Sequence, residues 1–354
     1  MALKVHKVYL PLAALYGLAV RVRNRLFDRG VLRSRAFPVP VVCVGNLTVG
    51  GTGKTPLIEY LVRLLSPSPQ VAVLSRGYKR RSKGFLMAAQ DTPVEQIGDE
   101  PWQMKQKFPS LTVAVDADRC HGIEELQKRC PGLRAVLLDD AFQHRYVKPG
   151  LSLLLMDYAR PVFSDHLLPA GFLREPREGQ KRADVVLVTK CPPDLSASVA
   201  EEYRRRLRLL PRQELFFTTL GYGSLRPLFA ADAEERTLEY LRGKSVLLLT
   251  GIASPQPLHD ELARYARVVP LSFPDHHDFS PADMQRLARL FRTAPERPGL
   301  VITTEKDAAR LVGRTDYPEE LKQKTFVLPV EVRFLYDKAQ AFHQILTDYV
   351  DQNQ

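Results

Sequence analysis

The stretch VPVVCVGNLTVGGTGKTP, residues 39–56, decides how the rest of the chain is read. Its first half, Val39 to Asn46, is a continuous β-branched and apolar run, the composition of a strand buried on both faces. The second half holds Gly50, Gly51, Gly53, Lys54 and Thr55. It leads into a helical pattern from Pro56 to Leu65, with Pro56 favourable near a helix start. Strand, glycine-rich loop and helix in that order make a P-loop. Glycines let successive N–H groups point inward. The loop Thr48, Val49, Gly50, Gly51, Thr52, Gly53, Lys54, Thr55 and the helix N-terminus can then cradle nucleotide phosphates. Lys54 brings a point charge to a transferring phosphoryl group, and the Thr55 hydroxyl is placed to ligate Mg²⁺. The general pattern begins on glycine, whereas Thr48 stands there; Gly50 and Gly51 can supply the turn instead.

A P-loop needs an acid on a neighbouring strand, and AVLLDD (135–140) ends four apolar residues on Asp139 and Asp140, a Walker B pattern. Consecutive acids at a strand end are costly unless they meet a cation. Further strands are expected at 71–77, 111–118, 151–158 and 183–190, with helices between several of them, one at His121 to Arg129. This alternation predicts an α/β fold, a P-loop NTPase-like, mostly parallel sheet sandwiched by helices. Near residue 214 the pattern changes. ELFFTTL reads as an isolated extended run, and a fresh series starts with 244–253, 266–273 and 299–307. The expected organisation is a P-loop domain over 1–213, carrying a membrane-associating helix over 5–25. Hinge strands at 214–229 and 325–334 flank a smaller α/β domain over 230–324, and a C-terminal helix over 335–354 returns to the first domain.

Two domains agree with 354 residues at roughly 100–200 per domain. With 51 Lys+Arg against 40 Asp+Glu, the formal charge of +11 points to an anionic partner: nucleic acid, a phosphorylated substrate or an acidic membrane surface. The cysteines Cys43, Cys120, Cys130 and Cys191 form no CxxC pair and show no zinc-ligand spacing in sequence, which suits a reducing cytosol. The apolar run VYLPLAALYGLAV (8–20) covers about 20 Å as a helix, short of the roughly 30 Å hydrocarbon core. Arg21, Arg23 and Arg25 follow it where a signal peptide would be cleaved, which argues against export. Two readings stand equally: a helix lying in an anionic interface, or one packed on the core.

Further polar stretches fall where strands end: SRGYKR (75–80), IGDEP (97–101), DRCHG (118–122), DDAFQH (139–144), LPAGFLREP (168–176) and FPDHHDF (273–279). Loops at the carboxyl ends of parallel strands line the ligand crevice, so these residues can converge. In this order, and with TEKDAAR (304–310), they resemble the tetraacyldisaccharide 4′-kinase family of lipid A biosynthesis over nearly the whole chain. The resemblance implies transfer of the ATP γ-phosphoryl group to the 4′-hydroxyl of a tetraacylated, 1-phosphorylated glucosamine disaccharide, by a peripheral protein on the cytoplasmic face of the bacterial inner membrane. It implies Asp99 as catalytic base with His276 as its partner and His277 as second choice. It also implies Thr55, Glu100, Asp139 and Asp140 as Mg²⁺ ligands, and Tyr78 and Arg119 in substrate recognition. Ala141 stands where the family usually has glycine.

The chemistry of those residues is compatible. Phosphoryl transfer to an alcohol is mostly positioning and electrostatics, with a carboxylate accepting the hydroxyl proton. A histidine bonded to Asp99 could orient it and relay the proton. Asp99 lies in the first domain and His276 in the second, so domain closure is expected to assemble the pair. Asp99 and Glu100 could instead simply open a helix, the lesser reading, Arg174 could be either an internal ion pair or a ligand, and Lys79–Arg81 either a solvated face or a headgroup contact. The rivals are a P-loop GTPase of metallochaperone type, with VTK (188–190) or TEKD (304–307) reading guanine, and a nucleic-acid-dependent ATPase. The first predicts a Cys/His delivery motif and the second aromatic-interleaved basic stretches; neither is present in the sequence. The expected partners are the lipid substrate and an anionic inner-membrane surface, not nucleic acid, and a monomer is expected.

Overall fold

The computed structural model describes residues 6–65, 70–229, 234–275 and 277–353. The chain divides into two compact units, residues 1–220 with 332–354, and residues 221–331.

The first unit runs α1 (Leu10–Asp28), β1 (Val41–Asn46), α2 (Lys54–Leu65), β2 (Val71–Ser75), β3 (Leu86–Met87), α3 (Val94–Ile97), α4 (Asp99–Lys107), β4 (Thr112–Val115) and α5 (Arg119–Arg129). It continues with β5 (Ala135–Asp139), β6 (Leu151–Asp157), β7 (Val185–Thr189), α6 (Ala197–Leu207) and β8 (Glu214–Tyr222). The second unit holds β9 (Arg226–Pro227), β10 (Ser245–Thr250), α7 (Gln256–Ala263), β11 (Arg267–Ser272), α8 (Pro281–Thr293), β12 (Leu300–Thr304), α9 (Glu305–Leu311), α10 (Glu319–Lys322) and β13 (Thr325–Leu328). The chain then returns through β14 (Val330–Phe334) to α11 (Ala339–Gln352).

The larger sheet has the order β14-β8-β7-β6-β1-β5-β2-β4-β3. Its pairs from β8 to β4 are parallel, and the two-residue β3 closes the edge antiparallel to β4. Every residue of β1, β2, β5, β6 and β7 is buried, as expected when helices cover both faces. Alternate side chains serve opposite cores. Val41, Cys43, Val136 and Leu138 share one core with Ile123 and Leu126 of α5, whereas Val42, Val44, Ala135 and Leu137 share the other with Leu57, Ile58, Leu61 and Val62 of α2. On the α2 side lie also Phe342, Leu346 and Val350 of α11. Tyr349 of that helix bonds both the N–H (3.0 Å) and the carbonyl (3.2 Å) of Val41, so the chain end is anchored at the start of β1.

β1 lies between β6 and β5, and the chain reaches β2 from β1 by passing over β5. The crevice beyond the carboxyl ends of β1 and β5 is therefore the switch point of the sheet, where ligands of such folds bind.

The second unit's sheet, β11-β10-β12-β13-β9, is parallel except for β9. Two expectations are corrected. ELFFTTL is not isolated: β8 pairs parallel with β7, Val185 opposite Glu214. The run 325–334 is not one hinge strand. Thr325–Leu328 pairs with β12 inside the second unit, and only after Pro329, which has no N–H to keep the ladder going, does β14 join β8.

Candidate functional site

β1 ends at Asn46, and the loop after it is tied down before it reaches the helix. The Val49 N–H donates to the Phe172 carbonyl (2.8 Å) and the Arg174 N–H to the Leu47 carbonyl (2.7 Å), so the head of the loop is laced to LPAGFLREP. Thr48 takes part in this ladder, opposite Leu173, and is buried. Its place is an extended one that needs no glycine. The turn is made by Gly50 (φ +102°) and Gly53 (φ +83°), a backbone region side chains disfavour. Thr52 is fully buried: its hydroxyl accepts from Asn46 Nδ2 (2.8 Å) and its carbonyl from the Thr189 hydroxyl (2.8 Å). Lys54 and Thr55 then open α2.

Two cations near this loop were not assigned to it from the sequence, Arg160 not at all and Lys190 only as part of VTK. Lys190, just past β7, donates to the Gly51 carbonyl and to Asp157 Oδ2 (3.0 Å). Arg160, just past β6, lies over the ring of Phe172 (5.6 Å), and a Cβ on Gly50 would stand 3.2 Å from its guanidinium. The only signal for either was its place beyond the carboxyl end of a parallel strand.

Register sets Val44 of β1 opposite Asp139 of β5, which brings the acids beside the loop. Asp139 is buried and accepts from the Ser75 hydroxyl (3.1 Å). Burial above all, then the negative charges of Glu100 and Asp140, push its carboxyl up to about 7, against the pull of Lys54 and Ser75. Asp140 takes the opposite course. Burial opposes its ionisation, but Lys54 (3.4 Å) and Arg174 (3.0 Å) outweigh it and hold its carboxyl below the usual range. Arg174 is thus an internal ion-pair partner of the acid that also holds Lys54. The left-handed φ at this turn falls on Asp140 (+48°), so Ala141 needs no glycine-like backbone.

The GDEP and SRGY turns lie against each other. Gly98 (φ +89°) caps α4, and a Cβ there would stand 2.9 Å from the Tyr78 carbonyl. Asp99 and Glu100 open α4, where acids complement the helix dipole. Tyr78 is 65% exposed. Arg119 is instead buried at the start of α5 and donates to the Ala117 carbonyl (3.0 Å). Burial lowers its guanidinium pKa while Asp139 and Asp140 work the other way. Behind these, buried Glu175 gathers Arg182 (2.8 Å), Gln143 (2.9 Å) and Asn24 of α1 (3.2 Å), a hub for which LREP gave no specific signal. Glu100, Asp139 and Asp140 are near enough to influence one another's charge, yet their oxygens are not drawn into one tight cluster. Among the described residues only Asp118, Cys120 and His144 bring three such donors within 4.8 Å of one another.

His276 lies outside the described residues. His277 stacks on Phe273 (4.5 Å) and bonds Asp283 (2.9 Å), the residue that closes the capping box of α8. TEKD is likewise a folding element. Thr304 caps α9, and buried Asp307 accepts from the Gly251 N–H (2.9 Å) and the Thr304 hydroxyl (2.7 Å). With Lys190 turned onto the phosphate loop, neither proposed guanine reader presents its polar groups to a base.

No helix among the described residues is long and apolar enough to cross a membrane. α1 has one packed side and one exposed side. Ala13, Gly17 and Phe27 pack inward, and the Tyr16 hydroxyl donates to the Arg174 carbonyl (2.6 Å), while Leu10, Leu12, Leu15, Leu18 and Val22 are exposed.

Comparison with known proteins agrees with this arrangement over nearly the whole chain. The family model for tetraacyldisaccharide-1-P 4′-kinase matches residues 5–351. A tetraacyldisaccharide 4′-kinase of Phocaeicola vulgatus is 50% identical, the match covering 99% of this chain and 97% of that protein. One of Bacteroides thetaiotaomicron is 49% identical, covering 99% and 95%. Among solved structures, LpxK from Aquifex aeolicus in complex with ATP superposes with a TM-score of 0.74 at 29% identity, over 97% of this chain and 99% of that one. A P-loop laced to LREP, a Walker B acid opposite Val44 and this likeness from one end to the other place the chain in the tetraacyldisaccharide-1-phosphate 4′-kinase family.

Proposed function

We propose that the chain transfers the γ-phosphoryl group of ATP to the 4′-hydroxyl of a tetraacylated glucosamine disaccharide 1-phosphate. The observation that carries this reading is the junction beyond β1 and β5, where Lys54 pairs with Asp140 (3.4 Å) next to buried Asp139 at the switch point of the sheet, in a chain of this family. An anionic phosphate chain suits the loop: glycines at positive φ, a helix N-terminus, Lys54, and Arg160 alongside. A hard cation suits the acids. Burial first, and then the charges of Glu100 and Asp140, raise the Asp139 carboxyl to about 7, and Mg²⁺ among these oxygen donors would relieve the repulsion between them. Thr55, Glu100, Asp139 and Asp140 would hold it, and when bound it neutralises phosphate oxygens.

The chain's own residues do the rest. Asp99 takes the proton of the 4′-hydroxyl as that oxygen bonds to the γ-phosphorus and the bond to the ADP oxygen breaks. Lys54 follows the charge onto the leaving phosphate. The exposed ring of Tyr78 suits a sugar face, and Arg119 sets the field around the acids and the anionic substrate. The outward apolar side of α1, flanked by arginines, suits peripheral binding to the anionic cytoplasmic face of an inner membrane, as a monomer.

The test is incubation with labelled ATP, Mg²⁺ and the disaccharide 1-phosphate in detergent. A bisphosphorylated lipid is expected. Folded protein that makes none and hydrolyses GTP instead would overturn the reading.

A further inference from the structure

Outside the P-loop junction, one group of side chains has the composition of a transition-metal site. Asp118 and Cys120 stand at the start of α5, and His144 follows β5 on the neighbouring loop. One carboxylate oxygen, the thiol sulfur and one imidazole nitrogen lie within 4.8 Å of one another. Around a tetrahedral zinc ion, bonds of about 2.0–2.3 Å put donor atoms roughly 3.3–3.8 Å apart. About 1 Å of side-chain movement closes the difference.

His144 supplies an independent observation. Its Nε2 is shielded from solvent and has no hydrogen-bond partner among the described residues, the condition that buried polar atoms normally avoid. Asp118 has capacity left. Its Oδ1 caps α5 by accepting from the Cys120 (2.9 Å) and His121 (3.3 Å) N–H groups, and among the described residues its other oxygen carries no such bond. Sulfur, nitrogen and oxygen together favour a borderline ion over Mg²⁺. A thiolate and a carboxylate would balance a divalent charge, which matters beside Arg119 and Arg35.

We propose that Asp118, Cys120 and His144 form a binding site for a Zn²⁺-class divalent cation, with one coordination position left open. On binding, the Cys120 Sγ–H bond is lost, its proton passes to solvent, and an Sγ–metal bond takes its place. The ion ties the start of α5 to the loop that follows Asp139 and Asp140. Three protein donors leave the fourth position to water or to an exogenous ligand, as in open zinc sites.

The experiment is a titration of the metal-free full-length protein with Co²⁺, read by the thiolate-to-cobalt charge-transfer absorption in the near ultraviolet. Co²⁺ on the oxygen donors of the P-loop site gives no such band. Wild type is expected to develop it with one equivalent and to lose it when Zn²⁺ is added. Cys120→Ser should abolish the band and Cys130→Ser should retain it. Asp118→Asn, which keeps a capping oxygen, should weaken binding at least roughly tenfold, a scale that even outer partners of a metal reach. His144→Gln should do the same, with circular dichroism to check its fold. Absence of the band in wild type, its persistence in Cys120→Ser, or unchanged affinity in folded Asp118→Asn would overturn the site.

Discussion

Asp139 and Asp140 are neighbours in sequence whose surroundings drive them apart. Asp140 has two cations, and Asp139 has burial and two like charges. A carboxyl raised from 3.8 to about 7 favours the folded state only while protonated. Its contribution is full below about pH 4 and is lost as pH rises through 7. Without metal or nucleotide, Asp139→Asn should therefore melt higher than wild type at pH 8, and the gap should shrink toward pH 5. Thermal melts in chelator across that range check this, and a gap independent of pH would contradict it. Asp99 allows a sharper test of role, because it also opens α4. Asp99→Asn keeps the shape at the helix start but cannot take a proton. Turnover should fall about 10²–10⁴-fold while ATP affinity stays within about twofold. Near-normal turnover would leave Asp99 as a helix-opening residue only.

At the scale of elements, the junction depends on how closely β1 meets the turn after β5. A Cβ on Gly45 would stand 2.6 Å from Phe142 Cβ and 2.9 Å from its backbone nitrogen. Neither can retreat, since Phe142 is buried under the Arg182 guanidinium (4.5 Å). Gly45→Ala should destabilise the protein by about 1–3 kcal/mol, the usual scale of overpacking, and lower kcat/KM by spreading the phosphate loop from Asp139. Urea melts and steady-state kinetics measure both; unchanged values would mean the two elements are not coupled. The same junction shows what sequence could reveal. Gly50, Gly53, Lys54 and Asp139 were legible because a strand, its loop and the next helix are local, and strand ends recur at regular spacing. Arg160, Lys190 and Glu175 were not, because Arg160 and Lys190 reach the loop from beyond β6 and β7 while Glu175 gathers Asn24, Gln143 and Arg182 from separate elements, and sequence carries no record of where such side chains end. The run 325–334 misled for a related reason. Its apolar pattern is continuous, and only pairing partners reveal that it serves two sheets on either side of Pro329. Likewise, the cysteines show no metal spacing along the chain because His144 comes to Cys120 only through the fold, with α5 packed on β2 and β4 and β5 paired to β2.

Over the first unit as a whole, α1 joins an outward surface to the chemistry. Its inner side is fixed to the loop that laces the P-loop: Tyr16 to the Arg174 carbonyl, Asn24 to Glu175, and Gly17 so close to Leu167 that a Cβ would stand 2.5 Å from it. Its outer side exposes Leu12 (56%), Leu15 (66%) and Leu18 (56%). These leucines contribute little to folding, since they remain in water, yet each would gain roughly 1 kcal/mol or more by entering lipid. Arg21 and Arg25 add attraction to anionic headgroups that salt should weaken. Replacing the three leucines by serine should lower binding to anionic vesicles at least roughly tenfold and leave the melting temperature nearly unchanged. Turnover should fall with substrate held in vesicles and recover with substrate in detergent micelles, because the catalytic residues are untouched. Vesicle partitioning equal to wild type would assign α1 to packing alone. Loss of turnover in micelles as well would mean that its outer face supports the junction through Arg174 and Glu175 rather than through the membrane.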